Sequence, residues 1–238
     1  MALTDQERLN TQFVAVVPVR GGSKGFPGKN TALLNGRPLY QHAIDQALEA
    51  GAATVVVTTD ITDILESAHP AQVVMRPRPA ALATDDAPMA DVITDALGLD
   101  IFTDETTVAL LQATSPLRRP SDIRAAVDQF ERGSADLVMS VCPANPGVLK
   151  YGTIERGTFT ALRSPSHPFA NRQDLPRVWR PNGAIYVFGA TWYRANRSLA
   201  THSISPYVMP VEDSVDIDSP SDLDQCAERL ATRERNEP

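Results

Sequence analysis

A glycine-rich, basic loop follows the first apolar run of the sequence. The run FVAVVPV, residues 13 to 19, leads into RGGSKGFPGKN, residues 20 to 30, which contains four glycines and three cations. Glycines let backbone N–H groups turn toward an anion, and Arg20, Lys24 and Lys29 supply positive charge. The loop therefore indicates a polyphosphate site.

This loop differs from two common phosphate-binding patterns. It is not a Walker loop, because the spacing to Gly28 is wrong and Asn30 stands where Ser or Thr would bind a metal. The dinucleotide pattern GxGxxG is absent as well. The alternative is a solvated surface connection, although a purely structural loop has little use for this density of glycine and charge.

Two aspartates separated by one residue, Asp216 and Asp218 in SVDIDS, form a second candidate site. In a strand, alternation would place Val215 and Ile217 on one face and both carboxylates on the other. Like charges this close are costly unless a cation lies between them, and oxygen ligands suit Mg²⁺. The alternative is a solvated strand edge. A nearby phosphate loop favours the metal, because Mg²⁺ usually joins carboxylates to substrate phosphates.

One region of the chain is locally basic within an acidic protein. Its cations are Lys150, Arg172, Arg177 and Arg180. Such a cluster predicts an anionic small substrate, although Arg177 is expected to be simply solvated. The aromatic residues between 179 and 188 are expected in the core, and the four histidines show no ligand spacing.

Apolar runs alternate along the chain with segments of helical periodicity, which is typical of an α/β fold with a sheet flanked by helices. The alternation predicts a largely parallel, Rossmann-like sheet, whose strands bind ligands at their carboxyl ends. Strands are predicted at 13 to 19, 54 to 58, 73 to 74, 107 to 111, 136 to 142, 184 to 188, 207 to 211 and 214 to 218, and helices from Pro38 to before Gly51, from Asp60 to Ala68, and at 88 to 97, 120 to 132 and 220 to 233.

We expect one domain over residues 13 to 230, with flexible tails at 1 to 12 and 234 to 238. Six prolines punctuate residues 143 to 181, and no long helix fits between them. That segment is predicted to be an inserted lobe of hairpins and loops.

Composition narrows the possible functions. The 238 residues carry 22 basic and 29 acidic side chains, a net charge of −7 that argues against a nucleic-acid binder. Only three of the basic residues are lysines, at positions 24, 29 and 150. No run approaches a membrane span, and the N-terminal segment lacks a signal-peptide core. Cys142 and Cys226 are expected to be buried free thiols in a reducing, cytoplasmic setting.

Four ordered segments identify a resemblance. VAVVPVRGGSKGFPGKN, LLQATSPLR (110 to 118), RQDLPRVWRPNGAIYVF and SVDIDSPSDL (214 to 223) resemble the motifs of the CMP-sialic acid synthetases, the acylneuraminate cytidylyltransferase family. The resemblance covers residues 13 to 230. It implies a nucleotidyltransferase fold, a homodimer, and Mg²⁺-dependent transfer of CMP from CTP to a 2-keto sugar acid with release of pyrophosphate.

The resemblance also implies roles for individual residues. Asp216 and Asp218 would bind Mg²⁺, and Arg20, Lys24 and Asp216 would be catalytic. CTP would contact Arg20, Gly21, Gly22, Ser23, Lys24, Lys29, Asn30, Arg78 and Ala87. The sugar acid would contact Gln112, Lys150, Arg172, Arg180, Asn182 and Tyr186.

Four positions depart from the family pattern. Met89 replaces a serine near the cytosine, Leu199-Ala200 replaces an aromatic pair from the partner subunit, and Ala113 replaces a proline. The acceptor therefore stays open between N-acetylneuraminate and a different anion, such as a deaminated or diamino nonulosonate or a phosphonate. A non-catalytic nucleotide-binding module is the alternative from another class.

Overall fold

A seven-stranded sheet forms the centre of the fold. The computed structural model describes residues 12 to 22 and 25 to 236, so Ser23 and Lys24 lie outside the described residues. In chain order, the described strands are β1 (Phe13–Val19), β2 (Leu33–Leu34), β3 (Arg37–Pro38), β4 (Ala52–Thr59), β5 (Val73–Pro77), β6 (Thr107–Leu111), β7 (Leu137–Ala144), β8 (Gly152–Glu155), β9 (Thr158–Ala161), β10 (Val178–Gly189) and β11 (Ile204–Val208). The pairs β2–β3 and β8–β9 form separate two-stranded sheets. The helices are α1 (Leu39–Glu49), α2 (Thr62–Glu66), α3 (Met89–Ala96), α4 (Pro120–Arg132), α5 (Ala190–Asn196) and α6 (Pro220–Asn236).

The predicted α/β class and mostly parallel sheet are confirmed. The strand order is β11-β7-β10-β6-β1-β4-β5, and β10 alone among these strands runs antiparallel to both of its neighbours. The other neighbouring pairs are parallel. The carboxyl ends of β1, β4, β5 and β6 therefore lie at the same edge of the sheet.

Helices cover both faces of the sheet because β1 is apolar along its whole length. Its residues 13, 15, 17 and 19 pack with α1 and α4, whereas residues 14 and 16 pack with α3 and α5. Every side chain of β1 is buried, as expected for a central parallel strand. This packing fixes the end of β1, where the glycine-rich loop begins.

The inserted lobe is smaller than predicted, because β7 extends to Ala144 and β10 begins at Val178. Between them lie the hairpin β8–β9 and three short 3₁₀ turns. The lobe exposes large apolar side chains, among them Ile154 and Phe169, the latter 89% exposed. Strand β8, which carries Ile154, pairs with β9 and is mostly exposed.

The C-terminal segment corrects one predicted element. Residues 214 to 219 form no strand, and β11 lies at 204 to 208 rather than 207 to 211. Helix α6 begins as predicted, since Ser219 and Asp222 bond to each other's backbone N–H groups in a capping box. It continues to Asn236, inside the segment predicted to be a tail. Both cysteines are free and buried, as predicted.

Candidate active site

A cleft of about 330 Å³ opens at the carboxyl ends of β1, β5 and β6. This is the edge at which parallel sheets bind ligands. The cleft brings together predicted site residues from separate segments of the chain. Its lining consists of Pro18, Arg20, Lys29, Asn30, Arg78, Met89, Gln112, Thr114, Gly183, Tyr186 and Asp216.

Two aspartates bind to donor groups of the glycine-rich loop. Arg20 forms an ion pair with Asp85, and the Gly21 N–H donates to Asp60 Oδ1 at 2.9 Å. Asn30 is buried, and its Nδ2 donates to the Arg20 carbonyl at 2.9 Å, which closes the loop on itself. The loop therefore already binds carboxylate oxygens at positions that a phosphate oxygen could take.

Two glycines of the loop have separate roles. Gly28 has φ of +71°, a left-handed conformation that favours glycine, and it precedes the 3₁₀ turn Lys29–Thr31. A side chain at Gly22 would meet no atom of the described residues within 4 Å, apart from its chain neighbours. Both features suit a loop that admits a ligand close to its main chain.

Lys29 joins the glycine-rich loop to the segment that carries the paired aspartates. Its Nζ donates to Asp218 Oδ1 at 2.8 Å and to the Ile217 carbonyl at 3.3 Å. On the other side, the Ile217 N–H donates to the Thr114 carbonyl at 2.8 Å. These contacts hold Asp216 and Asp218 beside the loop, although the segment is not a strand.

The Asp216 carboxyl opens onto the cleft, where it stays accessible to solvent but is partly surrounded by the cleft walls. This partial desolvation raises the pKa of Asp216, and the negative charge of Asp218 raises it further. A hydrogen bond with Thr114 and the charges of Lys29 and Arg180 oppose the shift. A bound cation would favour the ionised carboxylate, so the electrostatics of this position suit a metal.

The donors at this position fit Mg²⁺. Asp216 and Asp218 offer carboxylate oxygens, the ligands that Mg²⁺ prefers. Among the residues that the structure describes, no group of three or more His, Cys, Asp or Glu side chains could hold a metal. An ion here would take its remaining ligands from water and substrate phosphates, as Mg²⁺ commonly does.

Arg78 is fixed beside the cleft by the end of β4. Its side chain is buried, with Nη2 donating to the Thr58 carbonyl at 2.8 Å and Nε to Thr58 Oγ1 at 3.3 Å. Burial lowers the pKa of this guanidinium. Met89 lines the cleft nearby, whereas the predicted contact Ala87 does not and lies half-buried in the preceding loop.

The opposite wall contains the predicted acceptor residues Gln112 and Tyr186. Burial raises the pKa of the Tyr186 hydroxyl, and the charge of Asp216 adds to the effect, so the phenol remains a hydrogen-bond donor at neutral pH. Arg180, another predicted acceptor contact, is exposed and does not line the cleft; its Nη2 donates to the Ser214 carbonyl at 3.3 Å, and its charge acts on Asp216. Gly183 lines the cleft with φ of +78°.

Asn182 does not reach the cleft, and its predicted ligand contact requires correction. The side chain is 2% exposed and bonds within the protein to Ser140 Oγ at 2.6 Å and Ser214 Oγ at 2.9 Å. Its amide has no free face toward the cleft. Asn182 instead supports the start of the segment that carries Asp216.

Lys150 and Arg172 lie on the lobe and do not line the cleft of their own chain. Arg172 Nε donates to Asn145 Oδ1 at 3.2 Å. It lines a separate cavity of about 490 Å³ together with Arg177 and Trp179. The described part of a single chain therefore does not bring these two cations to Gln112 and Tyr186.

Sequence reasoning missed four residues that shape the site. Asp60 and Asp85 pair with the glycine-rich loop, Thr58 holds Arg78, and Thr114 holds the aspartate segment. Thr58 is the last residue of the strand predicted at 54 to 58 and Asp60 lies two residues beyond it, so their place at a carboxyl end is a usable signal. Nothing in the spacing of Asp85 marks it as a partner of Arg20.

The sequence of this chain matches a known protein family. The family model described as Cytidylyltransferase matches residues 14 to 204. The chain belongs to the cytidylyltransferase family. This match confirms the resemblance to the cytidylyltransferases that the sequence motifs indicated.

Relatives of this cytidylyltransferase family member differ in the acceptor that their names give. An N-acylneuraminate cytidylyltransferase of Streptococcus agalactiae serotype V is 30% identical, over 88% of this chain and 51% of that protein. A CMP-N,N'-diacetyllegionaminic acid synthase of Legionella pneumophila is 33% identical, over 89% of this chain and 93% of that protein. The chain thus spans about half the length of the streptococcal relatives it matches.

Solved structures share the fold. A CMP:2-keto-3-deoxy-manno-octonic acid synthetase complexed with CTP has a TM-score of 0.66 at 17% identity, covering 93% of this chain and 99% of that one. A 2-C-methyl-D-erythritol 4-phosphate cytidylyltransferase of Francisella tularensis has a TM-score of 0.63 at 13% identity, covering 92% of this chain and 100% of that one.

In the described part of the chain, no helix combines the length and apolarity that crossing a membrane requires.

Proposed function

We propose that this protein transfers CMP from CTP to the anomeric hydroxyl of a sialic-acid-like 2-keto sugar acid and releases pyrophosphate. The observation that carries the proposal is the meeting of Arg20, Lys29 and Asp216 with the polar wall of Gln112 and Tyr186 in one cleft. Cations and a carboxylate suit a metal–triphosphate, and the wall offers hydrogen bonds to a hydroxylated acceptor. The family and the names of its relatives support the same chemistry.

In the proposed reaction, the acceptor's anomeric oxygen attacks the α-phosphorus of CTP. A new P–O bond forms as the bond to the β-phosphate oxygen breaks, and the hydroxyl proton is released. Arg20 and Lys29, with Lys24, would stabilise the negative charge that develops on the departing pyrophosphate. Arg78, held rigidly by Thr58, would contact the nucleotide.

Asp216 and Asp218 would hold Mg²⁺. The ion would supply charge neutralisation at the triphosphate oxygens when bound. Lys29 pairs with Asp218, so the same lysine would lie close to both the metal ligands and the phosphates. Activity should disappear with a chelator and return with added Mg²⁺.

Two observations favour a second candidate, the same CMP transfer to a different nonulosonate. Leu199 packs against the core and Ala200 is small and exposed, so neither provides a bulky ring for an N-acyl group. The Legionella relative carries the name of such an acceptor. Both acceptors are 2-keto acids, so the chemistry at phosphorus is the same.

We further propose that the protein acts as a homodimer. The lobe's apolar side chains Tyr151, Ile154, Phe159, Leu162 and Phe169 are each more than half exposed, and a second copy would cover them. The same assembly would bring lobe cations to a cleft that they do not reach within one chain. An acceptor carboxylate would then meet Lys150 and Arg172 of the partner subunit.

The experiment that tests the function is a pyrophosphate-release assay. Each of four nucleoside triphosphates is combined with N-acetylneuraminate, a deaminated nonulosonate, a diamino nonulosonate and a phosphonate. Of the four nucleoside triphosphates, we expect only CTP to support turnover. The acceptor with the highest kcat/KM identifies the substrate. CTP binding without turnover on any acceptor would instead indicate a nucleotide-binding module. If Lys24→Ala and Asp216→Ala both kept wild-type turnover, the assignment would be wrong.

Subunit mixing tests the homodimer. Lys150→Ala and Asp216→Ala chains are each expected to be nearly inactive alone. In a random mixture, a lobe that acts across the interface restores one site in each mixed dimer, or about a quarter of wild-type activity. A lobe that acts within its own chain restores none.

A further inference from the structure

The most deeply buried cation of the described residues lies directly beneath the cleft. Arg118 is 0% exposed and forms no ion pair with a described carboxylate. Its Nη1 donates to the Gln112 carbonyl at 2.6 Å and to the Ala184 carbonyl at 3.2 Å. Its Nε and Nη2 have no hydrogen-bond partner among the described residues. A buried guanidinium with so few partners is costly for stability, so its presence calls for a structural reason.

The two carbonyls mark the point at which neighbouring strands separate. Strand β6 pairs with β10 from Thr107–Gly189 to Leu111–Ile185, so Gln112 and Ala184 would form the next pair. They do not continue the ladder. Both carbonyls instead accept hydrogen bonds from the same Nη1 of Arg118.

On its other side, β10 departs from β7 over the same residues. The register between these strands shifts between Pro181 and Tyr186, which indicates an irregularity of the bulge type. Ser140 Oγ fills this gap by accepting from the Ile185 N–H at 2.8 Å while donating to Asn182. Residues 182 to 185 are thus supported by Asn182 and Ser140 on one side and by Arg118 on the other.

This irregularity forms the wall of the cleft. Gly183 and Tyr186 of β10 line the cleft, and Gln112 lines it from the end of β6. Tyr186 lies inside the ladder, opposite Leu110, whereas Gln112 and Gly183 lie beyond its end. The separation of β6 from β10 therefore sets the position of Gln112 and Gly183 relative to Tyr186.

We propose that Arg118 is a positioning residue that fixes the separation of β6 and β10 and thereby holds Gln112 and Tyr186 in place for the acceptor. The inference rests on the proposed function for the acceptor, but the placement itself concerns only this chain. Arg118 acts through two main-chain carbonyls and lines no part of the cleft. Its charge matters because bonds from a cation to a carbonyl are stronger than neutral ones.

The test compares Arg118→Met with Arg194→Met as a matched control. Arg194 also binds two carbonyls with one nitrogen, Nη2 to Leu97 at 3.1 Å and to Phe102 at 2.5 Å, but it does not line or underlie the cleft. We expect Arg118→Met to raise the acceptor KM at least about tenfold, since displacing a positioning group by about 1 Å can cost up to 10²-fold. The KM for CTP should change less than about threefold, because Arg20, Lys29 and Arg78 make no bond to Arg118. Arg194→Met should leave both KM values within about twofold of wild type.

Hydrogen exchange provides a readout that does not depend on activity. Peptides covering residues 112 to 118 and 182 to 186 should exchange faster in Arg118→Met than in wild type, while those covering β1 and β4 should not. A purely structural role would lower the melting temperature and the active fraction without raising the acceptor KM. If the methionine variant does not fold, Arg118→Lys decides. It retains the charge, but its ammonium falls one bond short of the position of Nη1 and cannot hold both carbonyls as the guanidinium does, so a raised acceptor KM with near-wild-type melting supports the inference.

Unchanged acceptor KM in a folded Arg118 variant would overturn the proposal, as would unchanged exchange in both segments. A wild-type protein that releases no pyrophosphate with any acceptor would instead refute the proposed function. In that case, the exchange comparison still decides whether Arg118 fixes the two strands.

Discussion

Lys29 should matter far more to turnover than to stability, and Lys29→Met separates the two effects. Its ammonium pairs with Asp218 at 2.8 Å, but the Asp218 side chain is 75% exposed while that of Lys29 is 19% exposed. An ion pair with one partner this exposed contributes at most about 1 kcal/mol. For a chain of this size, that corresponds to a fall in melting temperature of at most about 4 °C.

The effect on catalysis should be larger because Lys29 lines the cleft. Removing a group that stabilises developing charge typically lowers turnover about 10²- to 10³-fold, equivalent to about 2.7 to 4 kcal/mol. We therefore expect Lys29→Met to lose at least about 99% of its activity while remaining folded at assay temperature.

The assay is the initial rate of pyrophosphate release at saturating CTP, acceptor and Mg²⁺, with thermal melting measured on the same preparations. Arg37→Met is the matched control, since Arg37 pairs with Asp45 on the surface and does not line the cleft. The control should melt at a similar temperature and retain full activity. Lys29→Met with more than a third of wild-type turnover would refute the role of this lysine, and a melting temperature about 10 °C lower would show that instability causes the loss.

Three further predictions concern stability. Asn182→Ala removes a buried amide that bonds to two serine hydroxyls. Since a hydrogen bond contributes about 1 kcal/mol and both serines would lose a partner, the free energy of unfolding in urea should fall by about 2 to 3 kcal/mol. A fall of less than about 0.5 kcal/mol would contradict the network. Gly183→Ala places a side chain at φ of +78°, which should cost about 1 to 2 kcal/mol and narrow the cleft; wild-type stability would argue against that backbone. Burial and the charge of Asp122 raise the pKa of Tyr207 from 10.0 to about 12, so the folded state holds the proton more tightly and stability should fall as pH rises from 10 to 12. Tyr207→Phe should show a smaller fall over that interval, and equal slopes for the two proteins would refute the shift.

The most accurate predictions from sequence concern elements whose boundaries are set by a buried apolar pattern. Strand β1, strand β6 and helix α4 begin and end where predicted, because continuous apolar runs and a stop at Gly133 define them. The glycine-rich loop was predicted from composition, and the strand before it placed it at the ligand edge of the sheet. Three of its residues, Arg20, Lys29 and Asn30, line the cleft.

Prediction was weaker where a residue's role depends on distant partners. The family resemblance assigned Asn182 to the substrate, but its amide bonds to Ser140 and Ser214, which are 42 and 32 residues away. Lys150 and Arg172 were predicted on an inserted lobe and at the acceptor, and the described part of the chain's own fold does not bring them to the cleft. Charge and residue type alone do not reveal either outcome.

The paired aspartates show how a side-chain pattern can be predicted correctly from the wrong backbone element. Alternation over 214 to 218 predicted a strand, but the Ile217 N–H donates to a loop carbonyl and the Asp218 N–H donates to Asp222 at the start of α6. Ile217 is nevertheless fully buried, while Asp216 and Asp218 are exposed. Extended backbone alternates its side chains whether or not it pairs with a neighbouring strand, so the apolar pattern reports burial and not the hydrogen-bond partner. The proposed Mg²⁺ site therefore depends on the anchoring of Ile217 and on Lys29, and it does not require a strand.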